Sequence, residues 1–464
     1  MKITVSPKIR PELDPEFLPA VLWNKEYRKL VAASPAKVAI TIALYRPNGT
    51  VSTLETAILP HDAANKDLNV KYVERLIKFL LWMKGGYKVA IAGCELLAKD
   101  IAAIYSATGA RAFDFDIMGD RIYGRPFEVV ALAGAEAPKS HEISMKLGGH
   151  MDGCRIGFDL GGSDRKCAAV VNGEVVHTEE VVWDPYFQKD PEYHRAGILD
   201  SLKRAAAKMP RVDAIGGSAA GVYVDNQPRI ASLFRGVSKE DFKQHVVTMF
   251  DEIQKLYGVP MIVANDGEVT ALAGAMAMDA NGVVGISMGT SVAGGYVNLN
   301  GNITDWLNEL AFVPVDYRDD APADEWSGDV GCGVQYFCQQ GVARLAKVAN
   351  LGFPADMPFP KQLEAVQQLM LDKDARAAAI YRTIGVCFGY AIAHFAEFYD
   401  IRNLLILGRV SSGEGGEVIL AEARRVLDTE FPALSKEITF RVPDEKFKRH
   451  GQAVVAASLP EIKK

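Results

Sequence analysis

The segment that most constrains this chain is Ile156-Gly157-Phe158-Asp159-Leu160-Gly161-Gly162-Ser163-Asp164-Arg165-Lys166, followed at once by CAAVVNGEVVHTEEVV. An apolar run of strand length stops at an aspartate and two glycines. A second apolar run returns, and Asn172-Gly173 turns the chain into a third. Asn-Gly between β-rich runs is a hairpin signal, so the region reads as strands joined by tight turns. A carboxylate closing a buried strand is costly unless it is paired, hydrogen-bonded or metal-bound. Asp159 therefore either caps its own turn through backbone N–H groups or forms half of a phosphate site.

The rest of the chain narrows the class. Its 464 residues exceed one compact core, and two or three lobes are expected. A net charge of −6 gives no basic field for nucleic acid and no polybasic stretch for a membrane surface. No apolar run is long enough to span a bilayer, and MKITVSPKIRPELDPEF lacks a signal-peptide core. The six cysteines form neither CxxC nor CxC pairs, which argues against a disulfide framework or a zinc site. A reduced, cytoplasmic protein is expected.

Residues 36–60 hold two β-rich runs flanking Pro47-Asn48-Gly49, another hairpin signal. An amphipathic helix over VKYVERLIKFLLWMK and a strand over YKVAIAG follow. Residues 135–152 lose periodicity and read as a connector. A similar order recurs from 153: strands, a turn, a helix over AGILDSLKRAAAKM, and a strand, VDAIGGSAAG, ending in small residues. Residues 1–150 are accordingly expected to be an α/β extension, a candidate degenerate copy of the following unit. A helix over DFKQHVVTMFDEIQKLYG, a buried strand PMIVAND and a largely helical stretch from 355 to 400 complete a mixed α/β pattern. His394, beside an apolar face at spacings of three and four, reads as a packed core residue.

Three apolar strands run into small or glycine-rich turns, at 156–163, 283–295 and 404–416. Such turns free backbone N–H groups for a ligand and let anionic oxygens approach without a Cβ in the way. Strand ends are also where open α/β sheets place ligands. Neither GxxxxGK[ST] nor GxGxxG is present in the first two turns, so a Walker P-loop and a dinucleotide fold are disfavoured. Between them, Asn265-Asp266 ends an apolar strand and precedes a helix of small residues. Asp266 is either an ordinary helix cap or, in a cleft, the base that takes a substrate hydroxyl's proton.

The order DLGGSDRK, AND, ISMGTSVAGG, LILGRVSSGEGG resembles the sugar-kinase branch of the actin-like ATPase superfamily, and within it the ROK (repressor, open reading frame, kinase) family. The resemblance covers roughly residues 153 to 460. It implies an α/β fold of two RNase H-like lobes with a nucleotide cleft between them, here 153–275 and 276–464, behind the extension 1–150. It also implies ATP and Mg²⁺, a sugar or sugar-like acceptor, and often a homodimer. On the matching positions, Asp159 stands on the metal side, through water, and Gly161, Gly162, Ser163 and Lys166 lie in the first phosphate turn. Gly289, Thr290 and Ser291 match the second phosphate loop, and Gly408 and Gly413 the adenosine motif. Asp266 matches the catalytic base, with Asn265, Ser218 and Glu309 as acceptor ligands.

Departures gather at the acceptor end. The family's Glu-Ile-Gly-His becomes Glu309-Leu310-Ala311-Phe312, so a histidine that serves sugar and zinc is lost. The cysteine-rich loop is reduced to GCGVQYF, with Gln335 where a sugar-binding glutamate is usual, and no zinc is expected. ASLFRG lacks an expected asparagine, and Arg409 replaces a small residue. Each unpaired polar group costs about 1–3 kcal/mol, so the acceptor is expected to differ from glucose. Two functional readings follow: a Mg·ATP-dependent sugar kinase, and a non-catalytic nucleotide- or sugar-binding sensor on the same fold. A DNA-binding repressor is disfavoured, because residues 1–150 show no helix-turn-helix pattern and no basic cluster.

Overall fold

The computed structural model describes residues 3–441 and 445–462. The chain begins with α1 (Ala20–Ala33), β1 (Val38–Tyr45), β2 (Val51–Ile58), α2 (Lys66–Lys84), β3 (Lys88–Ala92), α3 (Glu95–Ile104), α4 (Ala112–Asp116) and β4 (Glu128–Leu132). Next come β5 (Ser144–Met145), β6 (Cys154–Leu160), β7 (Asp164–Val171), β8 (Glu174–Val182), α5 (Pro191–Ala206), β9 (Ala214–Ala219), β10 (Val222–Val224) and β11 (Gln227–Ile230). The middle continues through α6 (Lys239–Asp241), α7 (Met249–Tyr257), β12 (Met261–Asn265), α8 (Asp266–Met278), β13 (Val283–Met288), β14 (Val292–Val297) and β15 (Ile303–Thr304). The last part holds α9 (Val334–Phe337), α10 (Gln339–Val348), α11 (Phe359–Leu371), α12 (Ala375–Phe395), β16 (Asn403–Leu407), α13 (Gly413–Glu430), α14 (Pro432–Glu437), β17 (Thr439–Arg441) and α15 (Glu445–Ala457).

These elements form two compact units. One holds Met1–Ile143, Ile286–Ala293 and Asp305–Phe440; the other holds Ser144–Gly285, Gly294–Thr304 and Arg441–Lys464. A six-stranded sheet has the order β17-β16-β13-β14-β15-β5. The expected connector at 135–152 thus contains β5, a two-residue edge strand too short to show any period.

The second unit is built on a five-stranded sheet, β12-β9-β6-β7-β8. Strands β6, β7 and β8 are an antiparallel meander, while β9 and β12 run parallel to β6. Strand β6 is buried at every position, which explains its unbroken apolar sequence where an alternating one would mark a half-exposed strand. One face carries a core of Phe158, Ile198, Leu202, Phe250 and Ile253. The other carries α15. A Cβ at Gly157 would stand 1.7 Å from the Ala453 carbonyl oxygen, and one at Gly216 equally close to that of Ala456. Glycine at both positions lets this helix lie on the strands. The helix expected from 241 to 258 is divided: a π-helical turn spans Phe242–Val246, and the long α-helical part, α7, starts at Met249.

In the first unit the amino-terminal sheet has the order β2-β1-β3-β4. Strand β1 pairs antiparallel with both β2 and β3, and β3 pairs parallel with β4. The element order resembles that of the second unit, but the sheet differs: β3 opposes β1, whereas β9 follows β6. Helix α2 is buried over most of its length, including Glu74, Arg75 and Lys78. Residues 18–20 add to the same unit through main-chain bonds: Ala20 N–H to the Val315 carbonyl at 3.0 Å and Tyr317 N–H to that of Leu18 at 2.9 Å. His394 is 1% exposed and packs edge-on to Phe79, 4.7 Å between ring centres, as expected for a core residue. No helix among the described residues is long and apolar enough to cross a membrane.

Candidate active site

Three parallel strands of the second unit, β6, β9 and β12, end together. Register aligns Asp159 with Ser218, and Ala219 with both Leu160 and Asn265. Asp159, Ser218 and the Asn265-Asp266 junction therefore share the carboxyl edge of one sheet, where backbone groups leave the ladder and side chains can meet a ligand.

Asp159 is 6% exposed. Its Oδ1 accepts the Ser218 hydroxyl at 2.7 Å, and Lys166 Nζ lies 3.8 Å from Oδ2. Burial pushes its carboxyl above the usual range; the Ser218 bond and the Lys166 charge oppose the shift without cancelling it. Lys166 makes its shorter contact with Asp164, at 2.9 Å. Burial lowers its ammonium, and the bond to Asp164 with the charge of Asp159 more than reverses this.

Asp266 opens α8. Its Oδ1 accepts the Gly267 N–H at 3.0 Å, and that same N–H donates to Asn265 Oδ1 at 2.7 Å. Asn265 is thus the helix cap, its Nδ2 donating to the Gly221 carbonyl at 2.7 Å. Burial, and next the charge of Asp159, push Asp266 up to about 6. A carboxyl titrating there is suited to exchange protons near neutrality. Tyr223, which the sequence reading passed over, carries a buried hydroxyl without a hydrogen-bond partner and senses the Asp266 charge. Its signal was weak: one tyrosine in a short hairpin.

The turn after β6 is closed by the Gly161 N–H donating to the Asp164 carbonyl at 2.9 Å, while Trp183 Nε1 donates to the Gly161 carbonyl at 2.8 Å. Ser163 Oγ donates to Asp164 Oδ2 at 3.0 Å. At Gly162 the space a Cβ would take is filled by Tyr186: its hydroxyl would be 2.0 Å away. Arg235 stacks on this ring at 4.2 Å.

The remaining residues singled out in the sequence lie in the first unit. Gly289 N–H donates to the Ser291 carbonyl, and the Gly289 carbonyl accepts the Gln339 N–H that begins α10, both at 3.0 Å. Thr290 and Ser291 are exposed. Gly408, at φ +103°, abuts the end of β13, with a Cβ there 2.4 Å from the Met288 carbonyl oxygen; the Val410 N–H donates to that oxygen. Gly413 begins α13 at φ +65°. Glu309 is half-buried, and Phe312 packs on Trp82 with ring centres 4.2 Å apart. The Val334 N–H donates to the Ala311 carbonyl at 2.9 Å, which joins the Gln335 segment to that of Phe312. Gln335 Nε2 donates to Gln340, and both line a cavity of about 520 Å³ with Glu325, Arg344 and Asn350. No group of three or more His, Cys, Asp or Glu residues fit to hold a metal exists among the described residues.

This architecture is the mixed α/β fold of the actin-like ATPases and hexokinases, in the form seen in ROK proteins. The chain is similar to the ROK hexokinase from Thermus thermophilus (18% identity, TM-score 0.51, covering 66% of this chain and 96% of that one). It is also similar to a ROK glucokinase from Streptomyces griseus in complex with glucose and AMPPNP (21%, 0.50, 66% and 98%). A ROK transcriptional regulator, a homologue of the E. coli Mlc protein, is equally alike (17%, 0.51, 67% and 79%). No protein-family model and no curated protein sequence matches the chain. At these identities the likeness establishes the fold.

Proposed function

We propose that this protein is a cytoplasmic kinase that transfers the γ-phosphoryl group of ATP to a hydroxyl of a sugar or sugar-like acceptor. The observation that carries this reading is the pair of carboxylates at one sheet edge, Asp159 and Asp266, the latter raised to about 6 by burial and by its neighbour. Phosphoryl transfer asks a protein for a base, a site for the metal and donors on the phosphates. Asp266 takes the acceptor's hydroxyl proton as its oxygen bonds to the γ-phosphorus. The bond from that phosphorus to the bridging oxygen breaks, its electron pair leaves with ADP, and Asp266 later returns the proton to solvent.

Asp159 fits Mg²⁺. It is a buried carboxylate outside any cluster of three or more His, Cys, Asp or Glu residues fit to hold a metal among the described residues, as suits an ion that keeps several waters and takes the rest of its shell from phosphates. When bound, the ion would neutralise charge on the phosphate oxygens. Gly161, Gly162, Ser163, Lys166, Gly289, Thr290, Ser291, Gly408 and Gly413 are the proposed nucleotide contacts. Asn265, Ser218, Glu309 and Gln335 are the proposed acceptor-side residues, Ser218 acting through Asp159. Phe312 and Gln335 favour an acceptor other than glucose.

One observation favours a second reading, a binding protein without turnover: a ROK regulator resembles the chain as closely as the kinases do. ADP release with Mg·ATP and a panel of sugars, amino sugars and polyols separates the two. Release that an acceptor stimulates and that Asp266→Asn lowers by a factor of about 10²–10⁴ supports the kinase. Nucleotide binding without release under every acceptor supports the binding protein.

A further inference from the structure

Helix α2 ends at Lys84, and the last four carbonyls of a helix have no partner inside it. Here all four are met. Leu81 accepts the Gly85 N–H at 2.8 Å, and Lys84 accepts from Arg46 Nη1 at 3.4 Å. The other two come from far along the chain: Trp82 accepts the Glu309 N–H and Met83 the Asn308 N–H, both at 2.9 Å. Two successive N–H groups can aim at one anionic spot only when the backbone turns between them, and Asn308 supplies that turn at φ +53°. The negative end of the helix dipole strengthens the contact. Asn308 is 1% exposed, and its Oδ1 accepts the Tyr399 hydroxyl at 2.9 Å.

The helix that offers these carbonyls is itself fixed. Lys78 Nζ lies 2.6 Å from Asp114 and 3.5 Å from Asp329; Arg75 lies 2.6 Å from Glu74 and 3.3 Å from Asp329; Arg111 lies 2.5 Å from each of Glu74 and Asp329. Three cations meet three carboxylates, so the buried cluster is neutral. Asp329 belongs to the loop that continues into Cys332, whose Sγ contacts it at 3.5 Å, and on to Gln335. Trp82 Nε1 donates to Asp114 at 2.5 Å, and the Trp82 ring carries Phe312.

We infer that α2 of the amino-terminal region is a positioning element for the acceptor: its last turn clips the main chain at Asn308-Glu309 and so sets where the Glu309 carboxylate stands. Asn308 and Trp82 are the positioning residues. The inference rests on the kinase reading of Glu309 as an acceptor ligand, and it gives residues 1–143 a role in substrate selection.

The test uses the full chain with Mg·ATP and D-glucose, D-mannose, N-acetyl-D-glucosamine and myo-inositol, taking forward whichever the wild type turns over best. Asn308→Val strains the left-handed turn, which β-branched residues avoid; Asn308→Gly keeps it. The expected result is an acceptor KM raised about tenfold in Asn308→Val with the KM for ATP within about twofold, and near wild-type values for both in Asn308→Gly. Hydrogen exchange at residues 307–310 should quicken in Asn308→Val alone. Should that variant not fold, Trp82→Phe keeps the main-chain clip but removes the Asp114 hydrogen bond and shrinks the ring under Phe312, and a rise in acceptor KM alone is again expected. Equal changes in both KM values, an unmoved acceptor KM, or equal damage from Gly and Val would overturn the inference. A wild type that releases no ADP with any acceptor overturns the kinase reading itself, and this inference with it.

Discussion

A base held ready for proton transfer should weaken the fold that holds it, and Asp266 makes the cost measurable. Its folded value of about 6 exceeds the ordinary 3.8 by about two units, and one unit is worth about 1.36 kcal/mol. The upper limit is therefore roughly 3 kcal/mol. Asp266 keeps part of its surface open to solvent, which screens the charge, and about 1–2 kcal/mol is the expected measured effect. Because the folded value is raised, the group's contribution is fully present below about pH 4 and lost as pH rises through about 6. Asp266→Asn removes that loss, and the asparagine oxygen can still accept the Gly267 N–H. The variant should keep only a small residual activity yet be more stable at about pH 8, with little difference near pH 4. Native-state hydrogen exchange at β6, β12 and α8 reports opening of this unit directly, and protection should rise about 5–30-fold at the higher pH. Equal or faster exchange in the variant at about pH 8 would refute the reasoning. So would a gain of the same size near pH 4, which would trace it to packing and not to charge.

Further outcomes follow from the same edge. The wild-type kcat/KM should fall on the acid side with an apparent midpoint near pH 6, since the base must be ionised, and residual activity of Asp266→Asn should lack that limb. Ser218→Ala removes the hydroxyl on Asp159, freeing the carboxyl to rise further; about 1.5–3 kcal/mol of stability should be lost and only about a tenth or less of the apparent Mg²⁺ affinity should remain, read by urea titration and by Mg²⁺ dependence of ADP release. Gly162→Ala drives a methyl into Tyr186 and should raise the KM for ATP; a partial return in Gly162→Ala/Tyr186→Ala would assign the effect to that clash.

The local signals in the sequence were the readable ones. Strand β6, its aspartate, the following turn and the Asn172-Gly173 hairpin each depend on residues a few positions apart, and the structure has them where the pattern placed them. Asp266 at the start of α8 was legible for the same reason. Strand direction was not: β1 and β3 are separated by a strand and a helix, and no turn residue specifies that they oppose. Nor was the occupant of the space above Gly162, since Tyr186 arrives from the loop before α5. Gly162 read as an opening for an anion; the structure adds a hydroxyl that any anion there must meet or displace.

At Phe312, placed by the family resemblance at the acceptor end, α2 supplies a physical context. Phe312 lies on Trp82, with Phe113 and Trp326 at 6.2 and 5.4 Å between ring centres. An imidazole here would set two ring nitrogens among these aromatic rings, and each polar group left unmet carries a desolvation cost. A phenyl ring has no such need, so the substitution suits the helix beneath it. The same helix presents carbonyls to Asn308 and Glu309, and these are main-chain bonds, independent of residue type on the helix side. That is why nothing in residues 66–84 announced a partner some 220 residues later. The bond pattern leaves a trace only at Asn308, one of the few residue types that tolerate a positive φ. The phosphate-side chemistry follows a different logic. As proposed, it needs a carboxylate at the end of β6, another at the start of α8 and glycines at a turn, all specified by short stretches, whereas the segment proposed to face the acceptor is bonded to a helix from far earlier in the chain.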